Sequence, residues 1–116
     1  MIKYSTFRGL YGHALEAKDL EMYIAECTPN DWLDTISADT AVEMMTLIHE
    51  LAHQDLSSHR QKLGMSQTAF ARWIGISPRT IQNWEIGHRS SSDYLQVLIA
   101  YAVFSELSAG EPDGTI

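Results

Sequence analysis

The chain is 116 residues long and 45% hydrophobic, which is sufficient for one packed domain. It has no apolar run near the roughly 20 residues that span a bilayer, and its N-terminus, MIKYSTFRGL, lacks the apolar core of a signal peptide, so we expect a cytoplasmic protein without a membrane partner. The net charge of −7, taken alone, argues against a polyanionic partner, and the single cysteine, Cys27, excludes an internal disulfide.

Short helices are predicted in the first third of the chain. Residues 1–11 fit either a short strand or an irregular arm, and the pattern does not decide between them. Residues 14–27 have apolar side chains at helical spacing, and Thr28-Pro29 then begins a short helix whose Trp32 we expect in the core. The face of the first helix that we expect to be buried comprises Leu15, Leu20, Tyr23, Ile24 and Cys27.

A longer helix is predicted next in the chain. It begins at Asp39 or Thr40, because Thr40 and Glu43 have the spacing of a capping box, and it runs toward Gln54. Two outcomes stay open at its end, since it can stop there or continue, bent or unbroken, into residues 57–63. Its apolar stripe comprises Val42, Met44, Met45, Ile48, Leu51, Ala52 and Leu56.

The segment His49-Glu50-Leu51-Ala52-His53 on this helix matches the H-E-x-x-H motif of zinc peptidases. Both imidazoles could bind one Zn²⁺ with Glu50 as general base, and His59 falls where a third ligand is found in metzincin-type sites. However, those sites need glycine where this chain has Leu56, and they need a sheet upstream that mostly helical residues cannot supply. We therefore favour solvent-facing or interface histidines and expect no metal.

Residues 66–87 are predicted to form two short helices joined by a tight turn. Ser66 is placed to cap the first helix, and Gly75 to supply the turn. Ser77 caps the second helix, in which Pro78 is tolerated at the first position because its missing N–H has no partner there. Gly87 ends that helix. The second helix carries a polar face that can read bases, since arginine pairs with guanine and asparagine or glutamine with adenine.

At these residues the sequence resembles the helix-turn-helix domains of the phage Cro/repressor (Xre-like) type. The resemblance runs from about Leu56 to Phe104 and implies an all-α, lambda-repressor-like helix-turn-helix bundle, here with an added N-terminal helical segment. It implies three parts: an extension (1–55), a DNA-binding domain (56–108) and a flexible tail (109–116). The motif residues are Arg60, Gly64-Met65-Ser66-Gln67, Phe70-Ala71, Gly75-Ile76-Ser77, Thr80-Ile81 and Trp84-Glu85-x-Gly87.

The resemblance also implies roles for single residues. Arg60 and Glu85 match a buried ion pair that ties the first helix of the domain to the reading helix. The residues expected to contact bases are Pro78, Arg79, Gln82 and Asn83. Those expected to contact DNA phosphates are Gln67, Arg72, Ser77, Thr80, His88 and Arg89.

Charge is distributed in agreement with this assignment. Residues 57–92 hold five basic residues against one acidic residue, a net charge of +4, whereas residues 1–56 carry −7 and residues 93–116 carry −4. A net positive charge therefore occurs only in the segment where DNA is expected to bind. The acidic flanks weaken non-specific attraction to phosphates, which leaves more of the affinity to base contacts and dimerisation.

The last predicted helix, residues 93–108, is apolar on two sides. One side, with Leu95, Ile99 and Val103, is expected to face inward, and the surplus on the other side is typical of a surface that a second chain covers. A lid formed by residues 1–36 of the same chain would cover these side chains equally well. The side chains expected at the dimer interface are Tyr94, Val97, Tyr101 and Phe104.

These observations predict a homodimeric transcriptional regulator that binds double-stranded DNA, reads the major groove with helix 78–86 and acts as a repressor. One alternative is the antitoxin of a toxin–antitoxin pair, whose acidic residues 1–56 bind a basic toxin. A zinc-dependent peptidase using His49, Glu50 and His53 is an alternative of another class. We expect no catalytic residues and no cofactor.

Overall fold

The computed structural model describes residues 2–87 and 92–108, and within these ranges the chain is helical, with seven α-helices, one 3₁₀ helix and no strand. The expected all-α class is confirmed. The 3₁₀ helix, Asn30–Asp34, carries Trp32, which is buried in the core as expected. The α-helices are α1 (Tyr4–Glu16), α2 (Leu20–Cys27), α3 (Ala38–His53), α4 (Leu56–Lys62), α5 (Gln67–Ile74), α6 (Pro78–Glu85) and α7 (Asp93–Leu107).

Helix α1 settles the ambiguity of the first eleven residues. Its buried side chains, Phe7, Leu10, Tyr11 and Ala14, have the spacing of one helical face. The expected single helix over 14–27 is wrong, because the chain leaves helical geometry at 17–19 and the Asp19 carboxylate caps α2 by accepting from the N–H of Glu21 at 2.9 Å.

Helix α3 begins earlier than expected. The Ser37 hydroxyl accepts from the N–H of Thr40 at 3.1 Å, so Ser37 is the N-cap and Thr40 lies inside the helix. Val42, expected in the buried stripe, is 45% exposed. The helix ends at His53, and Asp55 starts α4 by accepting from the N–H of Ser58 at 2.9 Å. Helices α3 and α4 are therefore separate.

The core lies between α1, α3 and α7, which pack against one another. The Phe7 ring centroid lies 5.3 Å from that of Phe104 and 5.2 Å from that of Tyr101. The Tyr101 hydroxyl donates to the Ile2 carbonyl at 2.7 Å. Phe104 is fully buried, so it belongs to the interior of the chain, and its expected place in a dimer interface is corrected. Helix α1 is the cover, in agreement with the alternative of an intramolecular lid.

The two histidines of the H-E-x-x-H segment hold the end of α1. His49 Nε2 lies 2.7 Å from the Ala17 carbonyl, and His53 Nε2 lies 2.6 Å from the Ala14 carbonyl. A carbonyl only accepts, so each Nε2 carries its proton and donates. The last carbonyls of a helix lack partners within the helix, and the histidines of α3 supply them. The Nε2 atoms of both histidines are thus used in hydrogen bonds to the backbone. The Glu50 carboxylate accepts from Lys62 Nζ at 2.9 Å.

Candidate nucleic-acid interface

The two predicted short helices are α5 and α6, and glycine permits the turns beside them. Gly64, before α5, has φ = 68°, and Gly75, between α5 and α6, has φ = 84°, a region that side chains disfavour. The Ser66 hydroxyl accepts from the N–H of Ala69 at 3.1 Å, and the Ser77 hydroxyl from that of Thr80 at 3.2 Å. Both helices thus begin at the capping serines read from the sequence.

Helix α6 is anchored on its apolar side. Ile81 is fully buried, as are Phe70 and Ala71 of α5, and Trp84 is half-buried. A helix of two turns is held by such packing rather than by its own propensity. The opposite side of α6 is therefore presented to solvent in a fixed orientation.

The base-contacting residues expected on α6 lie on this open side. Pro78, Arg79 and Gln82 are exposed, and Asn83 is half-buried. Within residues 2–87 and 92–108, the side chains of Arg79, Gln82 and Asn83 have no hydrogen-bond partner and no ion pair. As far as the described residues go, their donors and acceptors are available to a molecule outside the chain.

The expected phosphate contacts fall into four groups. Arg72 is exposed and free of any ion pair in the described part of the chain. The hydroxyls of Ser77 and Thr80 lie 2.8 Å apart and bond each other at the first turn of α6. The Gln67 amide donates to Glu85 at 3.2 Å. Residues 88–91, and with them His88 and Arg89, lie outside the described residues.

Arg60 and Glu85 meet in a two-pronged pair that joins α4 to α6. Arg60 Nε donates to Glu85 Oε2 and Nη2 to Oε1, each at 3.0 Å, while Nη1 donates to the Met65 carbonyl at 3.0 Å. The side chains are 17% and 7% exposed. Burial raises the pKa of the Glu85 carboxyl, but the hydrogen bonds from Arg60 and Gln67 outweigh it and leave that pKa below its usual value.

The expected dimer residues of α7 are separated by the fold. Tyr94 is 68% exposed and Val97 is half-buried. Tyr101 is half-buried against α1, and Phe104 has no exposed surface. Of these four side chains, that of Tyr94, at the N-terminal end of α7, is thus the most open to a second chain. Ile86, at the end of α6, is 66% exposed and was not singled out by sequence reasoning.

A comparison with protein families matches the segment that contains helices α4 to α6. A family model described as Helix-turn-helix matches residues 56–101, from the start of α4 into α7. Residues 56–101 therefore form a segment similar to the Cro/repressor type of helix-turn-helix. The lambda-repressor-like fold class is confirmed with it. Searches of the curated proteins and of the solved structures found no match.

The helix-turn-helix match over residues 56–101 indicates the kind of function. The chain is a DNA-binding protein of the transcriptional regulator kind. No helix within residues 2–87 and 92–108 combines the length and hydropathy that a membrane crossing requires. The same residues contain no group of three or more His, Cys, Asp or Glu side chains arranged to hold a metal ion. The expectation that the chain needs no metal stays a prediction.

Proposed function

We propose that this chain is a sequence-specific repressor that binds double-stranded DNA as a homodimer and reads the major groove with α6. The observation that carries the proposal is the open side of α6, where Arg79, Gln82 and Asn83 have no partner among the described residues while Ile81 is buried. Major-groove edges of bases offer the complementary donors and acceptors. A chain seated on an operator obstructs a promoter, so repression is the simplest outcome.

The proposed contacts divide into base reading and phosphate anchoring. Arg79 forks onto guanine, Gln82 and Asn83 pair with adenine, and Pro78 offers an apolar contact to a thymine methyl group. Exposed Arg72, with its full charge available, is the best supported of the phosphate contacts. The other proposed phosphate contacts are Gln67, Ser77, Thr80, His88 and Arg89.

Dimerisation is proposed because one helix of this length contacts too few base pairs for selective binding. Two copies of α6 must lie about 34 Å apart to enter successive major grooves. The exposed apolar residues nearest the reading helix in sequence are Ile86 and Tyr94, and half-buried Val97 extends the surface along α7. We therefore place the dimer seam at the N-terminal end of α7 rather than along its whole length.

Replacing Arg79 tests the docking of α6. In a duplex selected from random sequence, Arg79→Ala is expected to cost about 1–3 kcal/mol at one base position and to relax the preference there. Lys18→Ala is the control, because it removes an equal charge from an exposed site between α1 and α2. Fluorescence anisotropy titrations measure the affinity of each variant for the selected duplex and for random duplexes. The control should bind as the wild type does, and an Arg79→Ala variant that does the same would refute the proposed reading helix.

A second candidate, the antitoxin, is supported by the surface of residues 15–43. This stretch holds eight acidic residues, all exposed, against Lys18 alone. Large apolar side chains are interleaved with them, since Leu15, Met22, Leu33 and Val42 are each 45–58% exposed. Acidic and apolar groups together suit a basic protein partner. Co-purification of a small basic protein from the native host, abolished by Met22→Lys with Leu33→Lys, would favour this candidate.

A further inference from the structure

One carboxylate connects three helices at the edge of the proposed DNA surface. Glu85 Oε1 accepts from Arg60 Nη2 at 3.0 Å and from Gln67 Nε2 at 3.2 Å. Gln67 is the first residue of α5, Glu85 the last of α6, and Arg60 lies in α4. Since Arg60 also holds Glu85 Oε2, the carboxylate has a fixed position, and the glutamine amide is bound to a rigid acceptor.

The carboxylate determines which end of the Gln67 amide it binds. A free glutamine presents its oxygen or its nitrogen equally well, but a carboxylate only accepts hydrogen bonds, so the NH₂ group must face Glu85. One amide hydrogen is used there. The second hydrogen has no partner within residues 2–87 and 92–108. An NH₂ group held in this way can donate its second hydrogen to another anion.

Arg60 makes such an arrangement electrostatically possible. An unpaired carboxylate beside the first turn of α5 would repel a phosphate approaching the same nitrogen. The guanidinium lies within hydrogen-bond distance of both carboxylate oxygens and cancels that charge locally. The pair therefore leaves Gln67 as a neutral, oriented donor.

We infer that Glu85, neutralised by Arg60, is a positioning residue that orients the Gln67 amide so that its second N–H donates to a DNA phosphate. The inference rests on the proposed DNA binding and adds a role for the ion pair beyond holding helices together. It predicts that the contribution of Gln67 to affinity depends on Glu85.

A double-mutant cycle on DNA affinity tests this dependence. Arg60→Met with Glu85→Leu removes the carboxylate while leaving the net charge unchanged and no buried charge unpaired. Gln67→Ala in the wild-type background is expected to weaken binding roughly tenfold, as the loss of a hydrogen bond to a charged group does. The paired replacement should weaken binding by a similar factor, and adding Gln67→Ala to it should change the dissociation constant by less than about twofold. Gln61→Ala, an exposed glutamine of α4, is the control and should bind as the wild type does.

The outcomes separate a positioning role from a structural one. A purely structural pair would change the melting temperature and leave the effect of Gln67→Ala the same in both backgrounds, and that additivity would overturn the inference. Unchanged binding by a folded paired variant would overturn it as well. If the wild-type chain itself binds no selected duplex, the proposed function is refuted instead. The titration of the wild type, which precedes those of the variants, detects this case.

A second measurement covers the case in which the paired variant does not fold. In the free wild-type protein, the two side-chain NH₂ protons of Gln67 are expected to differ in NMR shift by more than those of Gln54, an exposed glutamine after α3, because one Gln67 proton is bonded to a carboxylate. Gln67 protons that match those of Gln54 would show that the amide is not held, and the inference would fail.

Discussion

His59 illustrates how much a single buried side chain constrains the junction of α3 and α4. It is 6% exposed, and its Nε2 lies 2.9 Å from the Leu51 carbonyl, so Nε2 carries the proton. Its Nδ1 is buried with no partner in the described part of the chain. Burial holds the pKa of His59 below its ordinary value, against the opposing effects of the Leu51 hydrogen bond and the Asp55 charge.

A stability profile follows from the depressed pKa of His59. The unfolded chain takes up the proton near the ordinary value of about 6.5, and the folded chain only at a lower pH. The contribution of His59 to the free energy of unfolding is therefore complete above the unfolded pKa of about 6.5. It is lost as the pH falls from there to the pKa of the folded chain. Between about pH 7.5 and 5 the wild type is therefore expected to lose more stability than His59→Gln does.

Thermal melts across this pH range measure the effect. Glutamine can still donate to Leu51 but does not titrate, which isolates the imidazole. His13→Gln is the control, since His13 is an exposed residue of α1. This variant should lose as much stability over the pH range as the wild type does. Parallel pH profiles for the wild type and His59→Gln would refute the assignment.

For individual residues, the family resemblance predicted more interactions than the spacing of apolar residues did. Arg60 and Glu85 were expected as a pair from motif positions, and their oxygen and nitrogen atoms lie 3.0 Å apart. The bond from Gln67 to Glu85 was not expected, because 18 residues separate them in sequence and only the docking of α5 on α6 brings them together. The hydrogen bonds of His49 and His53 to the backbone of α1 could not be predicted from the sequence either, because 32 and 39 positions separate the partners.

Among the elements, the starts of the last three helices were predicted accurately and the first helix was not. Helices α5, α6 and α7 begin after Ser66, Ser77 and Ser92, where a local hydrogen bond fixes the start. Helix α1 has no side-chain cap, and Gly9 and Gly12 on its exposed face reduce its helical propensity. Tertiary packing against α3 and α7 forms this helix, and a local pattern does not record that packing.

Helix α7 gives an element-scale prediction that separates core from interface. Tyr101→Asp with Phe104→Asp is expected to unfold the chain, because burying carboxylates against Phe7 costs several kcal/mol out of a total of about 5–15 kcal/mol. Tyr94→Asp should fold normally, since Tyr94 is 68% exposed. Circular dichroism would test both variants, and a folded double variant would contradict the packing of α1 on α7.

Tyr94→Asp also tests the proposed seam in the same samples. If two copies meet at the N-terminal end of α7, a carboxylate there should lower dimer affinity by at least about tenfold, through desolvation of the new charge. Sedimentation of the wild type and of this variant gives the comparison. A wild-type chain that stays monomeric at high micromolar concentration would remove the dimer from the proposal.

At the scale of the whole molecule, the described buried side chains form one cluster that includes Phe7 of α1, Phe70 of α5 and Phe104 of α7. We therefore expect the proposed parts, an extension (1–55) and a DNA-binding domain (56–108), to fold together rather than independently. Helix α7 belongs to the domain by its motif, but α1 and α3 cover it.

A shortened chain makes this dependence measurable. Residues 56–108 alone are expected to show no cooperative thermal transition, because Ile99, Val103 and Phe104 lose the helices that bury them. The intact chain under the same conditions should melt in one step. A cooperative melt of residues 56–108 would show that the helix-turn-helix segment is a domain in its own right.

The hydrogen bond from Tyr101 to Ile2 has a consequence for biosynthesis. It spans 99 positions of the chain, so the apolar face of α1 leaves the ribosome long before the helix that covers it. At roughly 5–20 residues per second, the side of α1 that packs on α7, with Phe7, waits several seconds without that cover. Helices α4 to α6, whose contacts are local, can dock during this delay, whereas closing the α1–α7 contact is a late and slow step. A nascent chain stalled before residue 93 would thus display α1 to chaperones.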